Sequence, residues 1–214
     1  MLFRSEFSDK VVSLEIPDRL LNTPSKDNFD GGPGIDTVVY DGPFSSYVVA
    51  PGVNGIEVSS ANYSEGSDWL LSIERLQFKD KGLAFDVDGR AGVAVKTLGL
   101  VFGQEAVSVP KYMGICLDFL DNKQLTAEQL MHEALAVRLG ADAQNAEKLV
   151  SFLYERLTGM VPIQSEKEKY VGWITSGAYT ADSLAVYASG LSLNPVVTQL
   201  TGMAMTGIAF EMPT

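Results

Sequence analysis

The sequence predicts an α+β protein, with its strands in front and its helices behind. Three observations predict it. A glycine turn, Gly31-Gly32-Pro33-Gly34, runs straight into an apolar strand, and further short strand-like runs punctuated by Gly, Pro and Asp follow. From Ala91 onward, apolar residues recur at helical spacing between glycines and capping residues. Within that second half, the capping pattern at Thr126 returns at Thr180, 54 positions later. The expected division is a β-rich region over residues 1–88 and an all-helical bundle of two related helical units over residues 89–214.

Composition narrows the classes of function. A chain of 214 residues that is 46% hydrophobic and 20% charged has enough apolar material for a core. It carries 27 acidic against 16 basic residues, a net charge of −11. That sign repels phosphate backbones and anionic lipid, so nucleic acid is not an expected partner. It suits divalent cations, which prefer carboxylate oxygens. A single cysteine, Cys116, excludes an internal disulfide. That fits a reducing cytosol, and equally a secreted chain held by metal. Met1–Ser13 is charged throughout and lacks the apolar centre of a cleavable signal. No apolar run reaches the roughly 20 residues that span a bilayer, so membrane insertion is not expected.

The front region is organised by a nine-residue register. Gly31–Val39 matches the nonapeptide G-G-x-G-x-D-x-U-x, in which U is a bulky apolar residue. Glycines let carbonyls turn toward an ion, the aspartate adds a charged oxygen, and the apolar residue points inward. Nine residues back, Asp27 and Phe29 hold the same two places; nine further back, Asp18 and Leu20 do. Only the last turn has the glycines. In rolls built from this repeat an ion lies between turns two repeats apart, which pairs Asp18 with Asp36 and puts Asp27 on the other side. The candidate metal ligands are therefore Asp18, Asp27, Gly31, Gly32, Gly34 and Asp36, and the expected cofactor is calcium. The alternative is a glycine-rich β-turn, in a β-roll remnant without metal.

Short strands are expected at Asp36–Tyr40, Tyr47–Ala50, Gly55–Ser59, Trp69–Phe78 and Leu83–Val87, forming a small, mostly antiparallel layer. Helices are expected at Val93–Phe102, Val109–Leu120, from the capping box Thr126/Gln129 to Val137, at Asn145–Leu157, Ser165–Thr175, Thr180–Ser189 and Pro195–Ala209. Phe102-Gly103 echoes Thr158-Gly159, and Leu117 echoes Trp173, both 56 positions on. One such unit cannot bury its apolar face alone, so the two are expected to pack as one bundle.

No catalytic constellation emerges. His132 and Glu133 share a helix but lack partners for a zinc site. Cys116 sits between Ile115 and Leu117 and reads as a small buried hydrophobe. Asp86 and Asp88 share one face of an expected strand. Trp69 and Trp173 read as core. No nucleophile elbow, P-loop or dinucleotide fingerprint occurs.

The run Gly31–Tyr40, the segment Trp69–Phe78 and a helical half starting at Ala91 together resemble a bacterial arrangement. In it, a degenerate repeat-in-toxin turn leads into the family called domain of unknown function 4214, which is similar to phycobilisome linker domains. Leu153-Tyr154 and Trp173 keep that family's second-unit pattern, whereas Thr158-Gly159 replaces its Gly-Arg. The resemblance implies a chain exported by a type I system, without a cleavable N-terminal signal. It implies a secreted or cell-surface structural or adhesive protein, calcium-associated, not an enzyme, whose partners are other proteins or itself. The rival expectations are an intracellular scaffold or linker without metal, and a carbohydrate-binding module.

Overall fold

The computed structural model describes residues 2–4, 10–12, 18–52, 54–61 and 66–212. It is an α+β chain that separates into two compact units. One is Met1–Val87 with Thr201–Thr214; the other is Asp88–Leu200.

The first unit holds strands β1 (Leu2–Arg4), β2 (Lys10–Val12), β3 (Arg19–Leu21), β4 (Asn28–Asp30), β5 (Thr37–Val39), β6 (Tyr47–Gly52), β7 (Gly55–Ser60), β8 (Ser67–Leu71), β9 (Arg75–Gln77), β10 (Gly82–Ala84) and β11 (Ile208–Phe210). They form two sheets, in the orders β1-β3-β5-β9-β10-β11 and β2-β4-β8-β7-β6. From β3 to β6, and again from β8 to β9, the chain crosses from one sheet to the other at each turn, so that β5 lies parallel to β3, β8 to β4 and β9 to β5. Leu20 pairs with Val38, and Val38 with Leu76; in the other sheet Phe29 pairs with Leu70. All five side chains are buried in one core with Tyr40, Val58 and Phe78. A three-residue strand presents one central side chain to that core, which is why an acid-x-apolar pattern suffices to specify each rung.

One expectation for this unit is corrected. Trp69–Phe78 is not one strand. The backbone turns at Ser72, whose φ is +52°, and carries the chain from β8 in one sheet to β9 in the other. Among the expected strands the layer is mostly antiparallel; β9 runs parallel to β5, and β8 joins the register by running parallel to β4. Antiparallel pairing is confined to β6-β7-β8 and β9-β10-β11.

The expected helix Pro195–Ala209 is also corrected. A 3₁₀ turn at Val197–Gln199 leads into the short helix Leu200–Thr206, and Ile208–Phe210 is a strand paired with β10. The helix is short and weakened by Gly202, and Gly207, at φ +72°, ends it. The Phe210 ring then lies over Gly82, where any Cβ would come within 2.2 Å of it. The region after residue 88 is therefore not helical to its end.

The second unit contains α1 (Arg90–Val101), α2 (Gln104–Val107), α3 (Pro110–Leu117), α4 (Ala127–Leu139), α5 (Ala146–Thr158), α6 (Gln164–Thr175) and α7 (Ala181–Ser189); Leu200–Thr206 is α8. Pro110 opens α3, where its missing N–H costs nothing. A single π turn, Asp118–Asn122, prolongs it. Thr126 and Thr180 both accept from the third residue of the following helix, completing capping boxes with Gln129 and Ser183. The starts of α1 and α5, α3 and α6, and α4 and α7 lie 56, 54 and 54 positions apart. Leu100, Met131 and Leu135 from the first set share a core with Leu149, Leu153 and Leu184 from the second. Among the described residues, no helix is long and apolar enough to cross a membrane.

Candidate metal centre

The turns between strands stack two columns of acids. In the first, the backbone N–H of Asp18 donates to Oδ1 of Asp36 at 2.8 Å, and the N–H of Asp36 donates to Oε2 of Glu74 at 2.9 Å. In the second, the N–H of Asp27 donates to Oδ1 of Asp68 at 3.0 Å. Each acid thus caps the amide at the same place one rung earlier. Asp18 and Asp36 share one column and Asp27 stands in the other, the arrangement that the nine-residue register requires.

Asp27 and Asp36 are fully buried, and Asp18 is 3% exposed. Oδ2 of Asp27 accepts from the N–H and the hydroxyl of Thr23. Oδ1 of Asp27 and Oδ2 of Asp36 have no hydrogen-bond partner among the described residues. Burial pushes the Asp36 carboxyl up to about 6; the Asp18 amide opposes this, and the charges of Glu74 and Asp18 add to it. Glu74 is likewise raised, chiefly by burial, with the Asp36 amide opposing. In the second column, the Tyr40 hydroxyl donates to Oδ2 of Asp68 at 3.2 Å. Burial, and then the Asp68 charge, raise that phenol well above its usual range.

The glycine turn lies against the first column. A Cβ on Gly31 would meet the Ser72 carbonyl oxygen at 2.1 Å and the Asp36 Cβ at 2.7 Å, and the Gly31 N–H donates to the Leu71 carbonyl at 3.0 Å. Gly31 is therefore needed for close stacking on the next turn. Gly32 and Gly34 have φ of +71° and +143°, which turns the backbone around Pro33. The glycine-free turn at residues 13–17 lies outside the described residues.

The donor chemistry fits a hard cation, since buried carboxylate oxygens without hydrogen-bond donors call for positive charge. Asp18 and Asp36, with carbonyls of the Gly31–Gly34 turn, would hold calcium on this side. Among the described residues, no three His, Cys, Asp or Glu side chains converge as a metal site, so backbone carbonyls would supply most of the ligands. Calcium there would neutralise repulsion between stacked acids and tie adjacent turns together.

Asp68 and Glu74 are the site residues that sequence reading missed. Asp68-x-Leu70 and Glu74-x-Leu76 repeat the acid-x-apolar signal of Asp27-x-Phe29 and Asp36-x-Val38. The hairpin β6–β7 interrupts the register before Asp68, and only six positions separate the two acids instead of nine.

Other candidates resolve simply. Asp86 lies beyond the end of β10 and forms a buried ion pair with Arg75, so Asp86 and Asp88 do not share a strand face. Trp69 is 39% exposed, not core. The Cys116 thiol is buried and pushed up to about 12 by that burial, which leaves it protonated and unreactive. Nδ1 of His132 bonds Oδ2 of Asp182 at 3.0 Å, bridging α4 and α7. No protein-family model, curated protein or solved structure matches the chain.

Proposed function

We propose that this chain is a non-enzymatic structural or adhesive module of a bacterial cell surface or extracellular matrix, calcium-associated and acting through protein–protein contacts or self-assembly. The observation that carries the calcium reading is the first acid column, where Oδ2 of fully buried Asp36 lacks a hydrogen-bond donor between two further acids. Burying like charges this way is costly unless something neutralises them. The export and surface setting rest on the resemblance of the glycine turn and the helical half to secreted bacterial chains.

A second reading, a metal-free scaffold or linker, is favoured by one observation. Asp36, Asp68 and Glu74 already bond backbone amides and so hold the turns by themselves. Thermal melting with calcium and with chelator separates the two. Calcium raises the melting temperature of the wild type and leaves Asp36→Ala unmoved under the first reading. Identical curves in calcium and chelator leave the metal-free scaffold. Cell fractionation tests the setting: material in the surface or supernatant fraction supports export.

A further inference from the structure

The hairpin β6–β7 departs from the stacked turns of the β unit, and a cavity of about 670 Å³ lies at its base. One side is the turn after β3, at Asn22–Pro24; the other is Asp41, Gly42 and the 3₁₀ turn Phe44–Ser46 that leads into β6. Ser60 and Ala61, at the end of β7, complete it. Stacked turns repeat one another, so a site that occurs once arises where an insertion breaks the repeat. The volume falls within the range of about 300–1,000 Å³ usual for small-molecule sites.

The lining selects by chemistry. It contains no Lys, Arg or His, and its one carboxylate is Asp41, so a phosphate or carboxylate ligand meets repulsion without a counter-charge. It is not an apolar groove either. Thr23, Ser45, Ser46, Tyr47 and Ser60 bring five hydroxyls, and Asn22 brings an amide. Oδ1 of Asn22 is buried and has no donor among the described residues. The fold thus leaves unused a hydrogen-bonding group whose burial is costly unless something meets it. A half-turn of the amide exchanges its oxygen and nitrogen, so it can accept from a ligand hydroxyl or donate to one.

The walls are held by the fold itself. The Gly42 N–H donates to the Tyr47 hydroxyl at 3.2 Å, and a Cβ at Gly42 would come within 2.9 Å of the Tyr47 ring and hydroxyl. The ring also packs against Tyr40 and Phe78, with centroids at 4.9 and 5.4 Å. Across the cavity, the Thr23 hydroxyl is fixed by Oδ2 of Asp27 at 2.7 Å. A fixed aromatic ring among hydroxyls, an amide and one acceptor carboxylate matches a ligand with a C–H surface and hydroxyls around its edge. An amine would use Asp41 but leave the amide and the hydroxyls unmatched.

From this lining we infer that the cavity binds a neutral sugar unit, with Asn22 and Asp41 bonding its hydroxyls and Tyr47 supporting its C–H surface. This goes beyond the proposed function, adding a glycan to its protein partners, and does not rest on calcium.

Saturation-transfer NMR on the full chain tests it, with glucose, galactose, mannose and N-acetylglucosamine as separate probes and putrescine as the amine. At least one sugar takes up saturation from the wild type, and putrescine does not. For that sugar, Asn22→Ala weakens the affinity about tenfold. Ser45→Trp, on an exposed turn at the cavity, abolishes the signal. Trp69→Ala, which removes an exposed ring elsewhere on the β unit, leaves it unchanged. Circular dichroism checks the fold of each variant, and Ser45→Trp carries the test if Asn22→Ala does not fold. Saturation of none of the sugars, or of putrescine alone, overturns the sugar site. A signal lost in Trp69→Ala and kept in Asn22→Ala and Ser45→Trp also overturns it, because the sugar then lies on the Trp69 ring. Calcium-dependent melting reads the metal claim separately.

Discussion

The backbone N–H of Asp18 is bonded to Oδ1 of Asp36, eighteen residues further along the chain, at 2.8 Å. That single bond places two turns of the same register in one column. It also brings Asp36 between two acids, since its own N–H binds Glu74 at 2.9 Å.

The column makes the β unit more stable as pH falls toward mild acid. The Asp36 carboxyl is held at about 6 in the folded chain, against about 3.9 for an unfolded aspartate. Above the folded value, folding buries a charge that the unfolded chain leaves in water. As pH falls through about 6, the folded state takes up the proton first and gains stability, until the unfolded state also protonates. Melting without calcium rises from about pH 7.5 to about pH 5. Asp36→Asn, which keeps an acceptor for Asp18 and carries no charge, flattens that profile and raises the melting temperature near neutrality. A wild-type melting temperature that declines over this range contradicts the assignment.

Gly31→Ala loosens the stacked turns. The added Cβ meets a backbone carbonyl, at Ser72, which cannot rotate away as a side chain can. The expected cost is about 2–4 kcal/mol in urea unfolding. An unchanged midpoint means that the close packing is not required.

Asp68→Ala leaves two buried donors without an acceptor, the Asp27 amide and the Tyr40 hydroxyl. Its cost is about 2–4 kcal/mol, more than truncating an exposed acid such as Asp41. Equal, small effects of the two substitutions refute a role for Asp68 in the second column.

Thr126→Ala and Thr180→Ala each remove a completed capping box. Each lowers the stability of the helical unit by about 1 kcal/mol, and the similarity of the two losses tests the equivalence of α4 and α7. A loss at one position alone speaks against that equivalence.

Much of the architecture is legible in local pattern. Helices α1 and α3 to α7 follow from apolar spacing, glycine stops and the two threonine caps, because these signals act within a few residues, whereas the four-residue α2 is too short to carry such a pattern. The acid-x-apolar register from Asp18 to Val38 is equally local, and its consequence, that Asp18 stacks on Asp36, follows from the repeat length alone. Asp68 and Glu74 were not found because the inserted β6–β7 hairpin breaks the spacing on which a period search depends. The C-terminal strand was missed because three residues, Ile208-Ala209-Phe210, carry too little pattern to outweigh the helical run before them.

The sequence by itself determined the α+β class, the helical duplication, the glycine turn and the acids that share a column, since each is written in residues close together in the chain. Only the tertiary structure decided that β8 and β9 extend the parallel stack and that Phe210 closes over Gly82. These depend on which distant surfaces meet. Such contacts are selected by how much apolar area and how many backbone amides the whole unit satisfies at once, a quantity that no window of neighbouring residues contains.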